Sequence, residues 1–128
     1  MEQIKYKTLT GNFAICSLSL NEELPAWIFD SVFYNISKTN TEICIVCETK
    51  VIPFGIKKND NWNIISIQAL QNVSMKDVTA KFSAALAAAK IDFYVIATYD
   101  KDHFMIKEEN LKKAIRTLKK TGFQIENL

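Results

Sequence analysis

The chain has 128 residues, of which 48% are hydrophobic and 23% charged, with only three glycines and two prolines. This length corresponds to one compact domain or two very small ones, and the apolar content excludes intrinsically disordered and collagen-like classes. Sixteen basic residues against fourteen acidic ones leave a formal net charge of +2. That balance is too even to indicate a nucleic-acid or membrane partner.

Hydropathy sets a further bound on the class of protein. A membrane helix needs about 18 consecutive apolar residues, and the densest apolar run, residues 82–89, is far shorter. Residues 1–8 lack the apolar region of a secretory signal. We therefore expect a soluble cytoplasmic protein.

The three cysteines offer a possible metal or redox motif, because Cys44 and Cys47 have C-x-x-C spacing. They lie in a run rich in β-branched residues, however, and in a strand residues i and i+3 point to opposite faces. With a single histidine in the chain, a zinc site has no ligand set. We expect three reduced, buried thiols, with Cys16 as the third, and neither a metal nor a cofactor.

The first half of the chain predicts strands and one short helix. Residues 4–20 predict two strands separated at Thr10-Gly11-Asn12. A helix-start signal follows at residues 21–25, with Asn21 as the candidate cap of a helix ending near Asp30.

A strand pair is predicted next, formed by residues 32–36 and 42–47. Residues 49–61 then contain Pro53, Gly55 and a polar cluster, which is typical of a boundary between two halves.

The second half predicts alternating strands and helices, with strands at 62–70, 91–98, 103–107 and 123–126 and helices at 77–90 and 108–121. Strand 91–98 is mostly apolar, so we expect it to be central in its sheet. Gly122 is suited to end the last helix. One sheet should bury the apolar stripes of both helices, namely Val78, Phe82, Leu86, Leu111, Ile115 and Leu118.

The order of these elements predicts an α+β fold. Residues 62–127 follow the ferredoxin-like order βαββαβ, which places two helices on one face of an antiparallel sheet. Residues 12–60 repeat only β-α-β-β. We therefore predict a tandem duplication with a trimmed first copy, divided into residues 1–60 and 61–128.

Several phrases carry a resemblance to a known family. They are Thr41-Glu-Ile-Cys-Ile-Val-Cys47, the strand opened by Trp62, Ala84-Ala-Leu-Ala-Ala-Ala-Lys-Ile91 and Val95-Ile-Ala-Thr-Tyr-Asp-Lys-Asp102. The chain resembles the small tandem ACT-domain proteins of bacteria and is similar to the ACT modules of CASTOR-type arginine sensors, over roughly residues 32–125. The resemblance implies a non-enzymatic regulatory module that binds an amino acid or a similar metabolite between ACT units.

The resemblance also implies where the ligand would bind. One wall is the loop that precedes helix 77–90, carried over as Asn72, Val73, Ser74 and Met75. The other is the T-Y-D-x-D turn, carried over as Thr98, Tyr99, Asp100 and Asp102. A helix N-terminus offers unpaired N–H groups to a carboxylate, and two aspartates can accept hydrogen bonds from an ammonium. The alternative for the aspartates is a solvated turn.

Two departures from the family bear on ligand binding. Relatives carry glycine where this chain has Asp77, and Ser74-x-x-Asp77 predicts a capping box that would occupy the helix N-terminus. Relatives also carry glycine at the position of Lys90, which affects only a turn. The alternative function is therefore a ligand-free ACT-like scaffold for dimerisation or protein interaction.

Two other classes have less support. His103, beside Asp100 and Asp102, could suggest acid–base chemistry, but no nucleophile motif accompanies it, and we expect a partly exposed structural histidine. The aromatic, glycine-rich signature of RNA-binding sheets is missing. The small size and the alanine-rich helix 77–90 favour a homodimer.

Overall fold

The computed structural model describes residues 4–69 and 74–123. Their strands and α-helices are β1 (Ile4–Leu18), β2 (Tyr34–Lys38), β3 (Ile43–Glu48), β4 (Asn59–Ala69), α1 (Met75–Ala88), β5 (Tyr94–Ala97), β6 (Asp102–Lys107) and α2 (Leu111–Thr121). Short 3₁₀ helices lie at Ala26–Asp30, Thr49–Val51 and Glu108–Asn110. None of the described helices is long and apolar enough to cross a membrane.

The described chain divides into two compact units. Residues 11–62 form the first, in which β3 lies between β2 and β1 and is antiparallel to both. The rest of the described chain forms the second, in which β6 lies between β4 and β5. We call them the 11–62 unit and the 63–123 unit, the second of which also includes residues 4–10 at the start of β1.

The core of the 11–62 unit follows from the two-residue period of its strands. Alternate residues of β1 and β3 bury one face, together with Ile28 of the first 3₁₀ helix; the strand residues are Ala14, Cys16, Leu18, Ile43, Ile45 and Cys47. All three cysteines are free thiols, as predicted, but only Cys16 and Cys47 are buried; Cys44 is half-buried. Burial raises the pKa of Cys47 to about 11, assisted by Cys16 and Glu48, so this thiol stays protonated and unreactive at neutral pH.

The core of the 63–123 unit is built around stacked aromatic rings. The rings of Phe82 and Phe104 lie 4.5 Å apart between centroids, and those of Phe82 and Phe123 lie 5.1 Å apart. Aliphatic side chains from both helices and from β4 complete this cluster, among them Ile65, Ile67, Val78, Leu86, Ala114 and Leu118. Of the predicted helical stripe, Leu111 and Ile115 are only half-buried.

Two predictions for the first half were wrong. β1 runs through Gly11 without a break, because Gly11 does not adopt the positive φ of a turn glycine. The short helix is a 3₁₀ helix capped by Pro25 rather than by Asn21. Glu22, one of the acidic residues that suggested a helix start, closes a preceding turn instead, where the Ser19 N–H donates to the Glu22 carboxylate at 3.2 Å.

β5 is an edge strand, not the central strand that its apolar sequence predicted. It lies last in the order of the described strands, with Tyr94 54% and Val95 42% exposed. It also begins three residues later than expected. Ile91 belongs to the end of α1 instead, because its N–H donates to the Leu86 carbonyl at 3.0 Å and its side chain is buried.

The helix ends agree with the sequence signals at the C-terminal side. α2 is preceded by the 3₁₀ helix Glu108–Asn110 and ends at Gly122, which has a φ of 105°. Phe123 is buried, and the remainder of the predicted last strand, residues 124–126, lies outside the described residues.

Replacing Leu118 should test the placement of α2. The side chain is fully buried, so Leu118→Ala should lower the free energy of unfolding by about 2–5 kcal/mol. Leu24 is 45% exposed, and Leu24→Ala is the matched control, expected to stay within about 0.5 kcal/mol. Urea denaturation measures both. A loss below half a kcal/mol at Leu118 would contradict the packing described.

Lys90 should be a source of strain. It follows α1 with a φ of 59°, in the left-handed region that glycine occupies without steric cost. Lys90→Gly should therefore stabilise the protein by about 0.5–1 kcal/mol. Lys81→Gly, in the exposed interior of α1, should have the opposite sign and cost about 1 kcal/mol. Thermal or urea denaturation of the pair decides, and destabilisation by both would refute the argument.

Candidate ligand site

The connection between β5 and β6 is a closed four-residue turn, as predicted. The Thr98 N–H donates to the Lys101 carbonyl at 2.9 Å, and the Thr98 hydroxyl donates to the same oxygen at 3.2 Å. Tyr99 and Asp100 stand exposed on this turn. Asp102 is the first residue of β6, so the turn presents hydroxyl, phenol and carboxylate groups from a fixed backbone.

Asp102 joins this turn to α1. Its carboxylate accepts a hydrogen bond from the Thr79 hydroxyl, and both residues are half-buried. The contact lies on the helix-facing side of the sheet, because Phe104, two residues further along β6, packs on Phe82 of α1. This contact joins the turn to α1 within the 63–123 unit, but it is made by Thr79 and not by the residues predicted for the helix-side wall.

Asp100 makes its contacts on the other face of the sheet. Its carboxylate accepts from Gln68 Nε2 at 3.5 Å and from Lys101 Nζ at 3.2 Å. Gln68 alternates with Ile67, which belongs to the core beneath the helices. The structure therefore gives Asp100 and Asp102 separate partners on opposite faces of the sheet. Among the described residues, the two carboxylates do not share a hydrogen-bond donor.

His103 lies beneath the turn and is only 7% exposed, so the expectation of a partly exposed histidine was wrong. Its Nδ1 lies 2.6 Å from Ser66 Oγ, and its Nε2 lies 3.0 Å from Thr98 Oγ1. It is buried because it projects from β6, which has a neighbouring strand on each side. Burial lowers its pKa, and Lys101 lowers it further, against the opposing effects of Asp102 and Asp100.

The N-terminus of α1 is only partly described, since Asn72 and Val73 lie outside the described residues. Ser74 is the N-cap residue, and its carbonyl accepts the Asp77 and Val78 N–H groups at 3.1 and 3.2 Å. Its side chain makes no capping hydrogen bond, so the predicted capping box is not formed within the described residues. Met75 packs against the core, while Asp77 is exposed in the first turn.

Three residues of this region were not predicted from sequence: Ser66, Gln68 and Thr79. Ser66 and Gln68 alternate with buried isoleucines of β4, and a polar residue at every second strand position was a usable signal for a polar face. Thr79 carried a weaker signal, a hydroxyl in an alanine-rich helix. Its importance depends on the pairing with Asp102, which only the fold reveals.

Two protein-family profiles match the chain. The profile of the ACT domain matches residues 57–120, half of the chain, and the chain belongs to the ACT-domain family. A second profile, that of the N-terminal domain of another family, matches residues 11–54. No curated protein matches the chain significantly.

Solved structures agree on the fold. A structural-genomics protein from Agrobacterium tumefaciens matches with a TM-score of 0.89 and 27% identity, covering 98% of this chain and 94% of that one. A Vibrio cholerae protein of unknown function, described as a possible transport protein, has a TM-score of 0.76 at 18% identity over 95% and 92%. The ligand-free regulatory subunit of aspartate kinase from Thermus thermophilus has 0.62 at 11% over 88% and 92%.

Metal chemistry has no cluster of side chains to support it in the part of the chain that the structure describes. Within it, no group of three or more histidine, cysteine, aspartate or glutamate side chains is placed to hold an ion. The carboxylates of the site face Thr79, Gln68 and Lys101 instead. These contacts suit recognition of a polar organic molecule by hydrogen bonds and charge.

The buried imidazole predicts a pH dependence of stability. A histidine whose pKa is lower folded than unfolded adds stability that is complete above the unfolded value, about 6.5, and is lost as the pH falls from there through the folded value. We expect the urea midpoint of the wild type to fall between pH 7 and 5. His103→Gln should lack this component, so the difference between the two proteins should change with pH. Parallel curves would contradict the assignment.

Proposed function

We propose that this chain is a regulatory, non-enzymatic module that binds an amino acid in the 63–123 unit. Membership of the ACT-domain family supports the regulatory class. The observation that carries the site is the hydrogen bond between Thr79 and Asp102. It ties an acidic turn to the beginning of a helix, and the two together offer complementary groups to both ends of a zwitterion.

The chemistry matches an amino acid in three respects. The Ser74 carbonyl accepts the Asp77 and Val78 N–H groups, and the N–H groups that precede them in the first turn of α1 suit an α-carboxylate. Asp102, on the side of the sheet that faces α1, can accept from an α-ammonium, and Asp100 adds a second negative charge on the same turn. Tyr99, fully exposed at the tip of the turn, can cover an apolar side chain. We propose Asn72, Val73, Ser74 and Met75 as the helix-side residues of the same site.

We also propose that the chain is a tandem repeat with a trimmed first copy, corresponding to residues 1–60 and 61–128. The two hairpins support this, because β2–β3 and β5–β6 have the same register. Ser37 pairs with Cys44 and Ile96 pairs with His103, so each residue of the second pair lies 59 positions after its counterpart in the first. In both, a threonine N–H closes the turn at 2.9 Å, Thr39 to Glu42 and Thr98 to Lys101. Each second strand continues into a 3₁₀ helix.

A ligand-free scaffold is the second candidate, and Asp77 is the observation that favours it. Its carboxylate is exposed in the first turn of α1, where a negative charge interacts favourably with the helix dipole. A ligand carboxylate at the same place would be repelled. The alanine side chains at positions 80, 84, 87 and 88 leave an exposed face on α1, and we propose that the chain is a homodimer.

Calorimetry against amino acids identified by a thermal-shift screen tests this function. Replacing Asp100 and Asp102 together by asparagine keeps their acceptor oxygens but removes their charge, so affinity should fall at least tenfold with stability nearly unchanged. Asp77→Gly should bind more tightly. Asp30→Asn, an exposed carboxylate in the 11–62 unit, is the matched control and should bind like the wild type.

The outcomes separate the two candidates. Binding that ignores the double replacement would place the site elsewhere, and no heat from any amino acid with wild type or Asp77→Gly would favour the scaffold. Light scattering on the same samples reports assembly. A mass close to the monomer value of 14.6 kDa at high micromolar concentration would remove the homodimer.

A further inference from the structure

We infer that His103 is a positioning residue for the turn of residues 98–101, and that it holds Thr98 in place only while its ring is neutral. Acidification would then release the turn. The inference concerns the turn itself, so it stands whether or not an amino acid binds there. Where a ligand does bind, it adds a pH dependence to that site.

The direction of each hydrogen bond follows from the number of protons available. The Thr98 hydroxyl has one proton, and it is donated to the Lys101 carbonyl at 3.2 Å. In the arrangement that we infer, this proton stays with the carbonyl and Thr98 Oγ1 accepts from His103 Nε2, which lies 3.0 Å away. A neutral imidazole carries one N–H, so Nδ1 is an acceptor and the Ser66 hydroxyl donates to it at 2.6 Å.

A second proton on the ring breaks this chain of donors and acceptors. Nδ1–H would then face the Ser66 hydroxyl at 2.6 Å, donor against donor. Ser66 is itself buried, so turning its proton away leaves a buried donor that must find another acceptor. Nε2–H is a donor in both states of the ring, so the inferred release depends on displacement of the ring away from the Ser66 hydroxyl. Nε2 then leaves Thr98, and the turn loses its side-chain anchor.

The charges around the ring make this a switch rather than a fixed ion pair. Among the described residues, Lys101 opposes protonation, and Asp102 and Asp100 favour it. Both aspartates already accept hydrogen bonds, from Thr79 of α1 and Gln68 of β4. The groups that β4 and α1 contribute at these contacts, Ser66, Gln68 and Thr79, are uncharged.

The 11–62 unit contains a matched turn without a histidine. The Thr39 N–H donates to the Glu42 carbonyl at 2.9 Å, and the Thr39 hydroxyl lies 3.5 Å from the same oxygen. By register, Cys44 occupies the position that His103 has in the second hairpin, since Cys44 pairs with Ser37 and His103 with Ile96. The Thr39 turn is an internal control within the same molecule.

Nuclear magnetic resonance of the full chain without added ligand tests the inference. The chain has one histidine, so its ring signals are unambiguous. We expect a proton on Nε2 and none on Nδ1 at pH 7.5. On acidification, the Thr98 and Lys101 amides should shift with the same midpoint as the ring, and hydrogen-exchange protection of the Thr98 amide should fall at least tenfold. The Thr39 amide should not follow the ring.

Variants distinguish a positioning role from a merely structural one. Thr98→Val should lower the protection of its own amide at pH 7.5 about tenfold and abolish the preference for the Nε2–H tautomer, whereas Thr39→Val should leave the ring unchanged. Ser66→Ala should raise the ring midpoint, because the opposing hydroxyl is gone, and should weaken its coupling to the turn. Because Ser66→Ala keeps the histidine, it still tests the inference if His103→Gln does not fold.

Several results would overturn the inference. One is a ring protonated on Nδ1 at neutral pH. Another is a ring that titrates while the Thr98 amide keeps its chemical shift and its protection, which would mean that Ser66 adapts and the turn stays closed. If no amino acid binds but the Thr98 amide still titrates together with the His103 ring, only the proposed function is refuted.

Discussion

β6 is buried on both of its faces, and this constraint determines the arrangement of the 63–123 unit. Phe104 and Ile106 face the helices, while His103 and Met105 project to the other side, and all four are buried. A polar ring on such a strand must find hydrogen-bond partners within the protein, since an unpaired buried group is costly. The hydroxyls of Ser66 and Thr98 meet that requirement, which is why the turn is held as it is.

Sequence reasoning recovered the features that depend on local rules. The order of strands and helices between β4 and α2, the two hairpins and the end of α2 at Gly122 follow from periodicity and backbone preferences. It misplaced β5, because an apolar strand sequence does not say which neighbours the strand has. It also missed the Thr79–Asp102 and Ser66–His103 contacts, which join residues 23 and 37 positions apart. Such pairs depend on register, which composition does not encode.

The candidate site has two parts, the hydrogen-bonded turn between β5 and β6 and the N-terminus of α1, where a negative charge already stands. The turn is closed by its own backbone hydrogen bond, and Asp102 links it to α1 by accepting a hydrogen bond from Thr79. The helix N-terminus beside it carries Asp77, whose charge suits the helix but competes with any anion. Under the function proposed above, the charge at this one position decides between the amino-acid-binding module and the ligand-free scaffold.

The exposed edge formed by β5 has a consequence for the colloidal behaviour of the protein. The strand Tyr94-Val-Ile-Ala97 contains no lysine, proline or charge of its own, although edge strands in soluble proteins commonly use these to discourage pairing with other chains. The nearby charges are in the flanking segments, at Lys90 and Asp92 before the strand and at Asp100 and Lys101 after it. This is the placement typical of charges that discourage aggregation, so we expect that neutralising these four side chains lowers solubility before it affects the fold.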